Sequence, residues 1–494
     1  MCGFVGGNKL HSIEETELCL NKIIHRGRDY TGTFQDKELF LGHNRLSIQD
    51  TSSNANQPFI SNSGDIVITY SGELWAGYQD LKEKHLPNYQ FRTNSDTEVI
   101  VALYEKYGTD SFKLLDGMYS LCIFDKRIGK LFLVRDWIGK IPFYYFKDSD
   151  SNIIFSNEMK AFSHLKDVQD KFYLIFEVQP ACYLEYDLKS KQLKNNKYYT
   201  LPYSEEYGGR FDLKDSPEVI AHNIRDKLDN AVRKRLISDE PICALLSGGI
   251  DSVVITYLAK KYLPNIEAFT VSCYPKTNTK DDLYYAHLAA RELGVKLNPV
   301  ELNAHSVIRD IDKTIYAIED DKWTQLSTAI VQIPLAEVIG KAGYKVAIGG
   351  EGADEIFASY ADVEAYNYSP EAYHKKRKQL IDGIHNTNLR RTNCAMLFGG
   401  TVEMRSPFLD RDFVEYCVRI PAHYAWRIRN KDPKRVKPLL REAFKDVIQD
   451  SELLYRKKVP TGEGANITQL VKNTHNKDKN YFSRRLNQLL FGKE

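Results

Sequence analysis

The chain has 494 residues, 43% of them hydrophobic, and 68 Lys+Arg against 66 Asp+Glu give a formal charge of +2. That length fits two large domains or three ordinary ones, and so even a charge balance excludes a protein built chiefly to coat nucleic acid or an anionic membrane. No stretch approaches the roughly 18 apolar residues of a spanning helix, and the opening MCGFVGGNKLHSIEE has neither a basic lead nor a long apolar run, so the expectation is a cytoplasmic protein.

In chain order, the first ~195 residues carry short alternating runs bounded by Gly, Asn and Asp: GDIVITYSGEL, GMYSLCIFD, GKLFLVRD, IPFYYF and SNIIFS. These predict strands of an antiparallel-rich sheet system. SDTEVIVALYEKYG predicts a helix capped by Ser95, so this half reads as α+β. The turn-rich, charged stretch 200–218 predicts a boundary. After it come an amphipathic helix (SPEVIAHNIRDKLDNAVRKRLI), the apolar strand PICALL and the turn SGGIDS. A helix (VVITYLAKKY), a strand (IEAFTVSCY), a helix (DDLYYAHLAARELG) and the strand KLNPVEL follow. Alternating strands and helices predict a parallel α/β sheet with its ligand at the carboxyl ends of the strands. Beyond ~355 the chain reads as mostly helical and charged.

Eight cysteines (2, 19, 122, 182, 243, 273, 394 and 417) show no CxxC spacing, which excludes a zinc ribbon or a disulfide framework. Cys2 alone stands next to the amino terminus. Either it is a small buried hydrophobe at a strand start, or removal of Met1 places an α-amine beside its thiol. In the second case the pair forms a nucleophile with its base.

ALLSGGIDSV (244–253) predicts a strand ending at Leu246, a glycine turn, and a helix starting near Asp251 and Ser252. Backbone amides in such a turn, with the helix dipole behind them, suit an anion. The Lys of a Walker loop is missing. The loop resembles the SGGxDS loop of ATP pyrophosphatases, which cleave ATP between its α and β phosphates. A second glycine-acid cluster, KVAIGGEGADEIF (345–357), adds carboxylates suited to a cation that neutralises phosphate; Asp251 and Asp354 are the metal candidates.

MCGFVGG, HRGRD, RLSIQD, NQPF, SGEL, NSDTEV, GMYSLCIFD and RDWIGKIPFYY resemble class II glutamine amidotransferase domains. With SGGIDS, GGEGADE and VEMRSPFLD they resemble, in collinear order over nearly the whole chain, the glutamine-dependent asparagine synthetases. The resemblance implies an N-terminal-nucleophile-hydrolase-like αββα sandwich (2–195), a linker (196–216) and an α/β ATP-pyrophosphatase domain with a helical C-terminal part (217–494). It implies that Cys2 attacks glutamine, with Ser71 and the backbone of Gly72 facing the oxyanion, and that Arg45, Glu73 and Asp96 grip the substrate. Ammonia would then meet an acyl-adenylate, giving a carboxamide, AMP and pyrophosphate. Leu246, Ser247, Gly248, Gly249, Asp251, Ser252, Val271, Gly349 and Gly350 would bind ATP, with Mg²⁺ at Asp251 and Asp354. Glu351 and Lys458 would act at the acceptor and phosphate, respectively. Glutamine and a carboxylate acceptor are the implied partners, with neither nucleic acid nor membrane, and a homodimer is left open.

Three departures bear on this. HRGPD of the family is HRGRD here, with Arg28 for proline. NGE is SGE, so Ser71 replaces an asparagine donor, and a misplaced donor lowers rate by about 10²–10³. In AIEDDKWTQLSTAI (317–330) the segment is shorter than in the members that amidate aspartate, and Gln325 stands near the position of the arginine that in them meets the substrate's α-carboxylate. Aspartate is the expected acceptor. A uronate, a peptide or natural-product carboxylate, a ring-closing ligase like β-lactam synthetase, and a non-catalytic scaffold are the alternatives.

Overall fold

The computed structural model describes residues 1–37, 39–75, 78–203, 215–276, 280–360, 370–422, 424, 436–457 and 459–492. The amino-terminal strands are β1 (Gly3–Gly7), β2 (Tyr30–Asp36), β3 (Leu39–Arg45), β4 (Phe59–Ile60), β5 (Ile66–Leu74) and β6 (Gly117–Asp125). They continue with β7 (Lys130–Arg135), β8 (Tyr144–Lys147), β9 (Ile153–Ser156), β10 (Ile175–Glu177), β11 (Cys182–Asp187) and β12 (Leu193–Lys197). Among the described residues they form two six-stranded sheets, ordered β10-β8-β9-β1-β3-β2 and β12-β11-β7-β6-β5-β4, and every pairing within them is antiparallel.

Side-chain alternation stacks the sheets. Phe4, Leu41, Val67, Leu133 and Phe155 point into the space between them. Their sequence neighbours point outward: Val5, Phe40 and Ile154 meet helix α1 (Ile13–Lys22), which brings Leu20, and Ile68 meets helix α2 (Asp96–Tyr107), which brings Val99 and Leu103. Helices therefore cover both outer faces. The alternating runs form antiparallel strands as expected from sequence, and with both faces covered β6 is buried at every residue. Ser95 caps α2 by accepting from the Thr97 N–H at 3.2 Å.

Helix α3 (Pro217–Lys234) opens the second half, capped by Ser216 and carrying the stripe Ile220, Ile224, Leu228 and Val232. There follow β13 (Ile242–Leu245), α4 (Ile250–Tyr262), β14 (Glu267–Tyr274), α5 (Asp282–Leu293) and β15 (Lys296–Asn303). Next come α6 (Trp323–Lys341), β16 (Val346–Ile348), α7 (Ala353–Ile356), α8 (Asn388–Gly400) and β17 (Glu403–Arg405). These strands form a parallel sheet ordered β15-β14-β13-β16-β17. β13 therefore lies between the strand that follows it and β16, the switch point where an open α/β sheet leaves a crevice. β13 ends one residue before Leu246 and α4 starts at Ile250, each a residue from expectation. β17 is a short strand in the part predicted as helical. β12 runs through Lys197, into the stretch expected as linker, and residues 204–214 of that stretch lie outside the described residues. No described helix is long and apolar enough to cross a membrane.

The halves meet through buried charges. Arg26 Nη1 donates to Glu158 Oε1 at 2.7 Å and to Asn393 Oδ1 at 3.0 Å. Lys160 Nζ lies 2.6 Å from Glu158 Oε2 and 3.2 Å from Glu319 Oε1, and Glu319 also accepts from the backbone N–H groups of Met159 and Lys160. Breaking one partner of such a buried pair costs about 3–5 kcal/mol, so the interface geometry is strongly fixed.

Candidate active site

β1 starts immediately after Cys2, which is half-buried while the other seven cysteines are buried. The Leu46 N–H donates to Cys2 Sγ at 3.4 Å, and the Cys2 carbonyl accepts from Arg26 Nε at 3.0 Å and from Ser71 Oγ at 2.6 Å. Burial raises the Cys2 thiol pKa above its ordinary value, opposed by the Met1 ammonium and the Leu46 amide. Met1 is in place and its ammonium lies 3.3 Å from Glu403 Oε2 across the domain interface; burial lowers its pKa.

Ser71, Gly72 and Glu73 lie on β5 facing this corner. The Ser71 hydroxyl, expected to face an oxyanion, donates to the Cys2 carbonyl and so positions the nucleophile's backbone. Gly72 has φ +153°, and a Cβ there would meet the Met118 carbonyl oxygen at 2.1 Å, so a side chain is excluded. Glu73 accepts from Gln49 Nε2 and lies 3.8 Å from Arg405 Nη2; burial, then the nearby Glu403, raises its pKa well above the carboxylate range. Asp96 accepts from Tyr70 OH at 2.9 Å and the Leu74 N–H at 2.8 Å. Arg45 Nη1 donates to the Ser52 carbonyl and to Asn56 Oδ1, both at 2.7 Å, and Nη2 to the Asp50 carbonyl. Ser71 is thus bonded to Cys2, Arg45 and Glu73 lie close enough to its thiol to act on its charge, and Arg45 is fixed by the loop after β3.

At the switch point a cavity of ≈170 Å³ is lined by Leu246, Ser247, Gly249, Asp251, Ser252 and Val271 from one side and by Gly349, Gly350, Glu351 and Asp354 from the other. Gly248 does not line it. Its φ is +76° and a Cβ would meet the Tyr285 backbone at 2.4 Å, so it serves the turn. Lys458 lies outside the described residues, while its neighbours Lys457 and Val459 line the cavity.

Sequence reasoning missed Lys437. Its Nζ bonds to Asp251 Oδ2 and lies 2.6 Å from Asp354 Oδ1, with its backbone in the left-handed region at φ +57°. The two metal candidates therefore converge on one cation, and Asp251 Oδ1 is buried without a hydrogen-bond partner. A carboxylate pair with a spare oxygen fits Mg²⁺, which takes one or two carboxylates and completes its shell with phosphate and water. Arg456 was also missed: it donates to the Ser247 carbonyl at 2.7 Å and to Asp282 Oδ1.

A second, narrow cavity of ≈20 Å³ is lined by Met1, Met118, Lys140, Leu389, Asn393 and Glu351, among others. That is room for about one water-sized molecule. Met1, the residue before Cys2, borders it, and Glu351 lines both cavities. Lys140 Nζ donates to the Gly117 carbonyl at 3.0 Å, and burial lowers its pKa to about 8.

Residues 1–190 match the family model described as a glutamine amidotransferase domain, and residues 223–393 and 380–486 match that of asparagine synthase. The chain is 31% identical over 461 residues to asparagine synthetase (glutamine-hydrolyzing) 1 of Arabidopsis thaliana, covering 90% of this chain and 74% of the relative. It is 31% identical over 482 residues to the probable asparagine synthetase (glutamine-hydrolyzing) of Schizosaccharomyces pombe, covering 92% and 81%. Against asparagine synthetase (glutamine-hydrolyzing) 3 of Arabidopsis thaliana it is 30% identical over 484 residues, covering 94% and 79%.

Proposed function

The chain belongs to the glutamine-hydrolysing asparagine synthetase family, and from that premise we propose that the Cys2 corner and the nucleotide cavity carry the two halves of one reaction, the ATP-dependent amidation of aspartate with nitrogen taken from glutamine. The amino-terminal half is then an N-terminal-nucleophile glutaminase and the second half an ATP-pyrophosphatase-type synthetase.

In the first half-reaction the Cys2 thiolate attacks the glutamine carboxamide. Removal of Met1 turns the Cys2 nitrogen into an amine that takes the thiol proton and returns it to departing ammonia. The Leu46 N–H favours the thiolate, and the Gly72 backbone faces the tetrahedral intermediate. Water then releases glutamate. Arg45 meets the glutamine carboxylate, while Asp96 and Glu73 hold its ammonium.

In the second half-reaction the aspartate side-chain carboxylate attacks the ATP α-phosphorus and pyrophosphate leaves. Ser247 and the amides of the glycine turn hold phosphate at the start of α4, and Lys437 and Lys457 bring positive charge to it. Asp251 and Asp354 would hold Mg²⁺, which supplies charge neutralisation to the leaving pyrophosphate. Ammonia then attacks the acyl-adenylate carbonyl and displaces AMP, with Glu351 accepting the proton.

The observation that carries this reading is that Met1 and Glu351 border one water-sized cavity. Loss of Met1 both exposes the catalytic amine and widens the route by which ammonia leaves. The full chain supplied with ATP and aspartate should yield asparagine, AMP and pyrophosphate from either glutamine or ammonium. Release of ADP and phosphate, or glutamine hydrolysis with no AMP, would overturn it.

A further inference from the structure

We infer that Arg391, seated by Gln325, reads the α-carboxylate of the acceptor amino acid while Glu351 faces its α-ammonium. This rests on the aspartate-amidating reading above and assigns the residues that select a free amino acid.

The expectation from sequence was that a neutral glutamine at 325 leaves the acceptor without a cation. The structure supplies one from the neighbouring helix. Gln325 near the start of α6 and Arg391 on α8 are both more than nine-tenths buried. Gln325 Oε1 accepts from Arg391 Nη1 at 3.0 Å, and Asn388 Oδ1 accepts from the same nitrogen at 2.8 Å. Two neutral acceptors thus hold one end of the guanidinium, and Glu351, 3.5 Å from Nη2, is the carboxylate that meets its charge. The other edge is Nε–H with Nη2–H. Nε is buried without a hydrogen-bond partner, and Nη2 makes a 3.3 Å bond to Thr392 Oγ1 and lies 3.5 Å from Glu351 Oε1. An arginine's Nε and Nη2 form a fork that matches a carboxylate bidentately.

Glu351 lines the nucleotide cavity and accepts from Thr392 Oγ1 at 3.1 Å. One buried cation and one carboxylate therefore stand together beside that cavity. An α-amino acid carries its ammonium and carboxylate on a single carbon. Such a zwitterion meets each protein charge with its opposite and gives the unpartnered Nε–H an acceptor. A uronate or a simple monocarboxylate offers no α-ammonium to Glu351 and leaves that carboxylate unmatched.

The test compares aspartate with 3-aminopropanoate, which is aspartate without its α-carboxylate, using ammonium as nitrogen donor so that the glutaminase plays no part. AMP release is followed in wild type, Arg391→Met, Arg391→Lys and Gln325→Leu. Arg391→Met should lower kcat/KM for aspartate about 10²-fold and leave 3-aminopropanoate unchanged, since only aspartate loses a charged partner. Arg391→Lys should recover part of that loss. Gln325→Leu, which removes only the seat, should raise KM for aspartate with little change in kcat, and it carries the test if Arg391→Met does not fold. An equal fall for both acceptors, or no change in their ratio, would assign Arg391 to scaffolding alone. If wild type released no AMP with aspartate, the aspartate reading itself would fall, and this assignment with it.

Discussion

Lys140 is buried in the water-sized cavity, its ammonium over the rings of Trp75 and Trp137 at 5.6 and 5.5 Å, and burial brings its pKa from 10.5 to about 8. The unfolded chain therefore holds this proton more tightly than the folded one. The resulting penalty is complete below pH 8 and fades between pH 8 and 10.5. Lys140→Met should accordingly melt higher than wild type at pH 7, with the gain shrinking as pH rises towards 10.5; a constant difference would show that packing, and not charge, sets it. Lys437 has the opposite character, an ammonium matched by two carboxylates. Lys437→Met should cut AMP formation by about 10²-fold or more with either nitrogen donor, read by pyrophosphate release, because it removes positive charge from the phosphate site and leaves Asp251 and Asp354 facing each other. Cys2, Ser71, Glu73 and Asp96 were legible in the sequence because each lies in a short segment of recognisable pattern. Lys437 and Arg391 were not, because they reach their sites from separate elements and sit in segments with no local signature; Gln49 and Lys140 lie within RLSIQD and RDWIGKIPFYY, but their partners Glu73 and the Gly117 carbonyl come from other strands.

At the scale of elements, a parallel sheet was implicit in the alternation after residue 217 though its strand order was not, and both glycine-acid turns fall at the switch point between β13 and β16. The boundaries slipped by a residue because a glycine turn leaves few hydrogen bonds to mark where a strand stops. Among the runs read as alternating strands, β6 proved to be buried on both faces. Alternation in a sequence shows which side chains share a face, but not that a second sheet and two helices cover both faces. Helix α7 carries a further consequence. Glu355 accepts from Tyr360 OH and from Asn388 Nδ2 at 2.7 Å, and burial, with Asp354 beside it, raises its pKa from 4.5 to about 7. Its contribution to stability is full below pH 4.5 and is lost as pH rises through 7. Glu355→Gln should therefore raise the melting temperature at pH 8 and leave it unchanged at pH 4.5. A gain of equal size at both pH values would contradict this origin.

At the scale of the whole molecule, the two halves share residues. Arg405 donates through its side chain to Glu403 Oε1 at 2.8 Å and approaches Glu73 beside Cys2, while its carbonyl accepts from the Gly349 N–H at 3.0 Å in the nucleotide cavity. One residue of β17 thus touches both sites. Arg405 lies in the VEMRSPFLD segment, but that segment does not show the bridge, which exists only once the halves dock. The cavity between them is narrow enough for a single side chain to close. Leu389→Phe should leave glutamine hydrolysis intact while lowering the asparagine formed per glutamate released; an unchanged ratio would place the ammonia route elsewhere. The division of labour itself is tested most directly by Cys2→Ala, assayed for asparagine and AMP with glutamine and, separately, with ammonium. The expected result is no glutamine-driven asparagine and an ammonium-driven rate close to that of wild type. Loss of both activities would make Cys2 a structural residue, and retention of both would place glutamine hydrolysis at another nucleophile.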